Sequence, residues 1–306
     1  MDIYLPVAEL SMNLLLLLSI GLAVGVLSGM FGIGGGFIMT PLLIFLGVPP
    51  AIAVGTGASQ VVASSVASAL GHWRRDNVDL KMGVLLIAGG LVGAVSGVFV
   101  QTILQRLGQL DLVISLTYVV VLGVIGTLML SESIQTFRRS RGGTKAASRK
   151  AGQHTWVQGL PLKQRFHKSK LYASAIPPVI IGLLVGWLTA IMGVGGGFLI
   201  VPALIYLMSV PTRVAIGTSV FQIVFLTGIT TILQAVQNKT VDVLLAFPLM
   251  VGGVIGAQYG IDIGQRLNAV QLRGLLAALV LLVALRMAVD LALTPADLYS
   301  IQRYPL

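Results

Sequence analysis

The sequence predicts an all-α polytopic membrane protein made of two homologous repeats, and three observations lead to this prediction. Charged residues make up 10% of the 306 residues, against about 25% in a typical soluble domain. Hydrophobic residues make up 56% of the chain, which is more than a soluble globule of this size could hide from water. The apolar residues also form long segments whose pattern occurs twice. These features exclude a soluble enzyme, a disordered chain and a disulfide-stapled secreted domain.

Apolar segments divide the chain into two halves around a basic stretch. The first half, residues 11–131, contains segments 11–30, 37–48, 52–72, 82–104 and 112–131, and the second half, residues 174–292, contains segments 174–192, 198–209, 214–236, 243–263 and 271–292. Most are long enough for a helix to cross about 30 Å of hydrocarbon. Segments 37–48 and 198–209 are too short, and each follows a glycine run and contains a proline. We therefore predict four long helices and one half-helix in each repeat.

Aligned motifs reveal the duplication directly. GIGGGFIMTPLLIFL (32–46) and GVGGGFLIVPALIYL (193–207) are identical at nine of fifteen positions without a gap. With one inserted residue before each, VGTGASQ (54–60) aligns with IGTSVFQ (216–222), and GGLVGA (89–94) aligns with GGVIGA (252–257). Asp79 then corresponds to Asp242. Two copies of one ancestral unit explain this pattern.

The orientation of the repeats has two solutions. Five crossings per half would relate the halves by inversion, whereas four crossings and a re-entrant segment would make them parallel. The positive-inside rule gives the same number of Lys and Arg residues on each side for both arrangements, so it does not choose between them. The N-terminal segment contains Asp2 and Glu9 but no basic residue, so we expect it outside, which favours inverted repeats. The same lack of a basic n-region argues against a cleaved signal peptide.

Residues 132–173 form a predicted basic cytoplasmic linker between the repeats. They contain ten of the twenty Lys and Arg residues and one acidic residue, Glu132. This clustering is typical of a loop on the inner face of a membrane, and it could also bind anionic lipid headgroups. The formal charge of +10 therefore indicates a lipid bilayer as the partner, with no nucleic acid. The oligomeric state stays open.

The glycine runs carry the most informative functional signal. A glycine run inside a membrane segment breaks the helix, and broken backbone at membrane depth is tolerated only within protein or beside a polar cavity. The half-helix behind each run would begin with free N–H groups that point into the break, which is a backbone anion site. The alternative is that the glycines only permit close helix packing. Because the motif occurs twice, we predict a substrate site at both runs, close to the bilayer midplane.

Polar side chains in the next helices could complete this site. Thr56 and Gln60 are four residues apart and share a helix face, and Thr218 and Gln222 repeat that spacing. Their hydroxyl and amide groups can donate hydrogen bonds to an oxyanion, or they can simply join helices. Serine and threonine residues, such as Ser64, follow one to two turns further on. They could serve helix packing or line a hydrated path, and the sequence favours neither.

Charged residues are almost absent from the predicted spans, and Arg286 is the exception. An intramembrane arginine is a functional candidate by default, so we predict Arg286 as a candidate gating residue, with pairing to Asp290 as the alternative. His72 and Trp73, beside Arg74 and Arg75, indicate an interfacial belt. The chain contains no Cys, and the spans contain no Glu and no His cluster. We therefore expect no catalytic residues, no metal site and no cofactor.

The duplicated glycine–proline motif resembles that of a known family. GMFGIGGGFIMTPLLIFLGVP with AVGTGASQ, and AIMGVGGGFLIVPALIYLMSVP with IGTSVFQ, are similar to the TauE/SafE sulfite exporters, as is the linker segment HTWVQGLPLKQRFHKS. The resemblance covers about residues 12 to 290 and implies a multi-pass transporter of the bacterial inner membrane for sulfite, sulfonates or related anions. It implies substrate positions at Gly34, Gly35, Gly36, Pro41, Gly195, Gly196, Gly197 and Pro202, with Gln60 and Gln222 beside them.

The sequence therefore favours a secondary transporter, not an enzyme, that exports a small sulfur-containing or organic anion. Thr56, Gln60, Thr218 and Gln222 would assist the backbone N–H groups of the paired half-helices. The alternative is a membrane scaffold or subunit that docks a partner on the basic linker. An intramembrane enzyme is disfavoured because the spans lack Cys, Glu and a His cluster.

Overall fold

A computed structural model describes residues 2–141, 163–166, 168–169, 171–267 and 269–292. The first half contains α1 (Leu14–Phe31), α2 (Gly36–Phe45), α3 (Pro50–Arg74), α4 (Leu80–Arg106) and α5 (Leu110–Arg141), and the second half contains α6 (Ile176–Met192), α7 (Gly197–Tyr206), α8 (Thr212–Leu233), α9 (Val243–Arg266) and α10 (Ala269–Ala292). Among the described residues, seven helices are long and apolar enough to cross a membrane. The predicted all-α polytopic fold is confirmed.

The short helices occur where the glycine runs predict them. α2 and α7 each contain ten residues, and α6, at 17 residues, is also shorter than a typical span. The boundary of α5 differs from the prediction, because this helix continues from the first predicted repeat into the basic linker as far as Arg141. The rest of the linker up to residue 162 lies outside the described residues.

Two short β-hairpins precede the repeats, and the hydropathy pattern did not predict them. β1 (Asp2–Leu5) pairs with β2 (Leu10–Asn13) before α1, and β3 (Lys163–Phe166) pairs with β4 (Leu171–Ser174) before α6. Each hairpin binds the carboxylate that caps a helix of the other repeat. Val7 N–H and Ala8 N–H donate to Asp242 at the start of α9, and Ser169 donates through its N–H and hydroxyl to Asp79 at the start of α4.

Close helix pairs join the two repeats. α1 packs along α9 and α4 packs along α6, with glycines at the points where the backbones touch. Gly21, Gly25 and Gly29 of α1 meet Leu249, Gly253 and Ala257 of α9 in the same order along the chain, and Gly182 and Gly186 of α6 meet Leu86 and Gly90 of α4. Both pairs are therefore parallel. Small residues permit this backbone approach between membrane helices.

The remaining helix contacts define two opposite directions. α3 runs parallel to α9, because Gln60 lies against Gly253 and Gly71 lies against Ile261. α3 runs antiparallel to α8, because Gly55, near the start of α3, approaches Gln234, which directly follows the end of α8. The Thr218 hydroxyl, near the start of α8, accepts the Asp79 N–H just beyond the end of α3. α4 also runs parallel to α8. Because α1 is parallel to α9 and α3, whereas α6 is parallel to α4 and α8, the equivalent helices α1 and α6 have opposite directions, as an inverted repeat requires.

The bundle therefore has two chemically different ends. The "basic end" is where α3 ends and α4, α6 and α8 begin, and the "opposite end" is where α1, α3 and α9 begin. Among the basic residues whose side chains the structure describes, those at the basic end are Arg74, Arg75, Lys81, Arg165, Lys168, Arg213 and Arg266, and those at the opposite end are Arg106, Lys239 and Arg286. By the positive-inside rule, this distribution is the one expected if the basic end faces the cytoplasm.

Candidate anion site at the glycine elbows

Each glycine run forms a sharp backbone reversal, here called an elbow: the first elbow is residues 32–36 and the second is residues 193–197. The two φ values at the centre of each elbow are 80° and 72° at Gly34 and Gly35, and 76° and 72° at Gly195 and Gly196. Only glycine adopts this left-handed region without strain. The glycines are therefore needed for the turn itself, in addition to any packing role.

The two elbows meet in the middle of the molecule. Gly34 and Gly195 both lie against Val61 and Ile223, which are near the middle of α3 and α8. The rings that follow the elbows, Phe37 and Phe198, stack with centroids 6.0 Å apart. The elbows and these rings are buried. Two half-helix N-termini from the two repeats thus converge in an enclosed region.

Both half-helices begin with backbone donors that the protein leaves unused. The Ile38 and Met39 N–H groups bond to the Gly35 carbonyl, and the Leu199 and Ile200 N–H groups bond to the Gly196 carbonyl. Within the described part of the chain, the preceding N–H groups of Gly36, Phe37, Gly197 and Phe198 have no hydrogen-bond acceptor. Pro41 and Pro202 are the sixth residues of α2 and α7, so they cannot bond to the carbonyls of Phe37 and Phe198 four residues earlier.

Comparison with known proteins identifies the family. The family model for the sulfite exporter TauE/SafE matches residues 17–287. The chain belongs to the TauE/SafE family. A "Probable membrane transporter protein" of Xylella fastidiosa is 31% identical over 259 residues, covering 84% of this chain and 87% of the relative. "Probable membrane transporter protein YunE" of Bacillus subtilis is 26% identical over 265 residues, covering 84% of this chain and 90% of the relative.

A plant relative matches a shorter region. "Sulfite exporter TauE/SafE family protein 3" of Arabidopsis thaliana is 27% identical over 130 residues, covering 40% of this chain and 27% of the relative. No solved structure matches this chain. The relatives are named as membrane transporters, not enzymes, and a multi-pass protein of the bacterial inner membrane fits the bacterial relatives. Within the described residues of this TauE/SafE protein, no three His, Cys, Asp or Glu residues are grouped for a metal ion.

Gln60 and Gln222 are the buried amides of the TauE/SafE bundle that lack any partner. Both are fully buried, and neither amide oxygen nor nitrogen has a hydrogen-bond partner among the described residues. The Gln60 amide lies against Gly253 of α9, and the Gln222 amide lies beside Gly90 of α4. They are therefore placed in the glycine-lined crevices between the repeats. In the sequence, they directly precede Val61 and Ile223, the residues that contact the elbows. An unpaired buried amide is costly, so each is available to a polar ligand.

Thr56 and Thr218 occupy a position that sequence spacing could not reveal. The Thr56 hydroxyl accepts the Asp242 N–H at 3.0 Å, and the Thr218 hydroxyl accepts the Asp79 N–H at 3.0 Å. Each threonine therefore helps to cap a helix of the other repeat and belongs to the same cluster as the hairpin contacts. A direct substrate contact for these two residues stays a prediction.

Three side chains that the sequence did not single out for this role hydrogen-bond to backbone carbonyls in or next to the elbows. The Ser219 hydroxyl donates to the Gly32 carbonyl at 2.9 Å. The Ser64 hydroxyl approaches the Gly34 carbonyl at 3.5 Å. The buried Tyr118 hydroxyl donates at 2.6 Å to the carbonyl of Met192, directly before the second elbow. In the sequence, a tyrosine in an otherwise apolar helix is only a weak signal of such a role, because the carbonyl that it binds belongs to the other repeat.

Arg286 lies away from the elbows. Its guanidinium bonds to Asp290 at 2.8 Å and lies 5.3 Å from the centre of the Phe45 ring, at the end of α2. The pairing with Asp290 that the sequence offered as an alternative is present. A gating role through α2 stays a prediction.

Proposed function

We propose that this protein is a secondary transporter that exports a small sulfur-containing or organic anion, with sulfite and sulfonates as the first candidates. The convergence of two half-helix N-termini, with unused N–H groups, carries the proposal. Each N-terminus has an effective charge of about +0.5. Because the elbows are enclosed, these partial charges act in a medium of low dielectric constant, where they attract an anion more strongly than in water.

The amides of Gln60 and Gln222 support an anion as the ligand. Each presents an NH2 donor within a crevice beside the elbows, and a buried donor without an acceptor favours a ligand that supplies one. A sulfite or sulfonate group has three oxygens that accept hydrogen bonds. Gly36 and Gly197 bring the two elbow backbones together, so the same anion could contact donors from both repeats.

The direction of transport follows from electrostatics. A monovalent anion that leaves a cell at −100 mV gains about 2.3 kcal/mol, and a divalent anion gains about twice that. Export therefore needs no coupled proton, and the spans offer no obvious proton relay. The name sulfite exporter, which the family and the plant relative carry, is consistent with this direction.

Flux of sulfite in proteoliposomes under an imposed potential tests the proposal. We expect potential-driven sulfite flux in the wild type and a loss of at least about tenfold in Gln60→Met and Gln222→Met, because each variant removes a donor worth about 1.5–3 kcal/mol to a charged ligand. Replacement of an unpaired buried amide by Met should not lower the melting temperature. Gln105→Met, on the half-buried part of α4, is the matched control.

Absence of wild-type flux for sulfite, thiosulfate and sulfoacetate would reject the sulfur-anion assignment and leave carboxylates to be screened. Replacement of residues 142–162 by an uncharged Gly/Ser stretch of equal length keeps α5 and the β3–β4 hairpin and tests the scaffold alternative. Transport should survive if the linker only joins the repeats, whereas a docking scaffold would lose its function.

A further inference from the structure

A cavity of about 320 Å³ opens at the basic end of the bundle. It lies between the end of α3, the start of α8 and the last turns of α1 and α9. His72, Arg75, Asn77 and Arg213 give it a polar wall. This volume is large enough for a small oxyanion together with several water molecules, since one water occupies about 30 Å³ in the liquid.

The charge of the cavity wall favours anions. Arg213, exposed in the first turn of α8, and Arg75 both line the cavity. Asp262 is the acidic residue that faces Arg75, and the pair is partly exposed with an N–O distance of 2.9 Å. Arg213 adds a positive charge at a helix N-terminus that is itself positive. Because the Asp262 carboxylate offsets Arg75, Arg213 gives the wall its excess positive charge, and an excess of one sign of charge in a cleft raises the local concentration of counter-ions.

His72 provides an independent sign of a ligand. Its side chain is only 8% exposed, it lines the cavity, and neither ring nitrogen has a hydrogen-bond partner among the described residues. Buried polar groups are nearly always satisfied. A ring N–H of His72 is therefore a buried donor without an acceptor among the described residues, at the wall of a cavity that also carries arginine.

The cavity leads toward the first elbow. Gly29, Met30 and Ile216 form its inner wall, and the Ile216 side chain contacts Gly32, the first residue of that elbow. Met30 and Ile216 are buried at 8% and 6% exposure. A short apolar barrier therefore separates the cavity from the buried elbows.

We propose that this cavity is an oxyanion-binding vestibule, in which His72, Arg75 and Arg213 capture the anion before it passes Ile216 to the first elbow. The inference rests on the proposed transport function for its second step, but anion capture can be measured without transport. The ligand is a small singly or doubly charged oxyanion, such as a sulfonate, because the wall combines two guanidinium groups with an imidazole donor.

The absence of Cys from the chain permits a direct test on the full-length protein in nanodiscs. Asn77→Cys places a reporter in the cavity, and Leu107→Cys, 65% exposed in the wild type, places one at the opposite end. With each rate divided by that for a small free thiol, we expect the anionic reagent MTSES to modify the Asn77→Cys reporter at least about tenfold faster than the cationic reagent MTSET. Leu107→Cys should show no such preference for the anion.

Neutral variants in the Asn77→Cys background then identify the charges. Arg213→Gln should lower the MTSES/MTSET ratio by at least about threefold, whereas Arg106→Gln, at the opposite end, should leave it unchanged. Sulfoacetate should protect the reporter in the wild-type background, and His72→Gln combined with Arg213→Gln should abolish protection. Equal rates for both reagents after division by their rates with a small free thiol, or protection that survives the double change, would overturn the proposal.

Flux measurements separate this inference from the proposed function. In proteoliposomes, the double change His72→Gln, Arg213→Gln should raise KM for the transported anion at least about fivefold with little change in the maximal rate. Anion selectivity of the reporter without any flux would refute the transport proposal and leave the vestibule. Unchanged KM in the double variant would refute the vestibule and leave the transport proposal.

Discussion

The basic end and the opposite end of the bundle are built from equivalent residues, yet the first has a cavity and the second has a bridge of two buried glutamines. Along the aligned motifs, His72 corresponds to Gln234, Gly264 to Gln101 and Gly29 to Ala190. At the basic end these positions line the cavity. At the opposite end, the Gln234 amide donates to the Gln101 side-chain oxygen at 3.1 Å and to the Ala190 carbonyl at 3.0 Å. Two buried glutamines thus bridge three helices where the other end has a glycine and an unpaired histidine.

This difference shows how a duplicated chain can become directional. The elbows at the centre retain the same glycines and the same backbone geometry in both repeats. The residues between the elbows and the two ends differ at a few positions in side-chain size and hydrogen-bonding capacity. The structure therefore corresponds to a state in which the centre is separated from the basic end by an apolar barrier and from the opposite end by a hydrogen-bonded bridge.

The largest expected effect concerns which side of the membrane each end faces, because labelling of a cysteine variant from one side either occurs or does not occur. Tyr4→Cys and Leu107→Cys should react with a membrane-impermeant thiol reagent from the same side of the membrane, and Lys168→Cys should react only from the other side. The reason is that the N-terminal hairpin and the loop after α4 both lie at the opposite end, whereas β3 and β4 lie at the basic end. Labelling of Tyr4→Cys and Leu107→Cys from different sides would establish parallel repeats.

The next effect concerns the two carboxylates that cap helices at the two ends. Asp242 accepts four N–H groups, and Asp79 accepts bonds from Ser169 and from the Met82 N–H. We expect Asp242→Ala to destabilise the protein by about 3 kcal/mol or more, and Asp79→Ala by somewhat less, because each lost acceptor leaves buried donors unpaired. Thermal unfolding of the purified protein measures this order.

Asp242→Asn and Asp79→Asn are the controls for those caps, since an amide oxygen still accepts hydrogen bonds. They should recover part of the lost stability. If the alanine variants unfold at the wild-type temperature, the contacts between each hairpin and the capping carboxylate of the other repeat contribute nothing to the stability of either end.

A smaller effect is expected when the glutamine bridge is broken. Gln101→Ala removes one hydrogen bond from the bridge, worth about 1 kcal/mol, so labelling of a Thr240→Cys reporter should rise about fivefold. Thr240 is suitable because it and Gln234 both lie next to Gly55. Gln105→Ala, one turn further along α4, should not change the rate. An unchanged rate in Gln101→Ala would show that the bridge does not close this end.

The smallest effect compares equivalent apolar residues next to the two elbows. Ile216 contacts Gly32 beside the cavity, and its counterpart Val54 contacts Gly193 on the side of the opposite end. Ile216→Ala should raise anion flux about two- to fivefold, because truncation of one buried side chain lowers a barrier by up to about 1 kcal/mol. Val54→Ala should not raise flux. Equal effects of both changes on proteoliposome flux would show that the two ends have equivalent barriers.

Prediction from the sequence succeeded where a local pattern is sufficient. Hydropathy located the ten helices of the described residues to within a few positions, apart from the extension of α5, because burial in lipid requires long apolar runs. The glycine runs predicted the two elbows, since φ values near 70–80° at successive positions require glycine. The hairpins were missed because their strands have four residues each and merge with the apolar segments.

The sequence by itself thus determined the family, the helices and the position of the two backbone breaks. Only the tertiary structure decided which groups meet across the repeats: Thr56 with Asp242, Gln60 with Gly253 and Gln234 with Gln101. It also decided that His72 has no partner while its counterpart Gln234 has two. Helix periodicity gives the face on which a side chain lies, but the neighbour of that face depends on packing between segments more than a hundred residues apart.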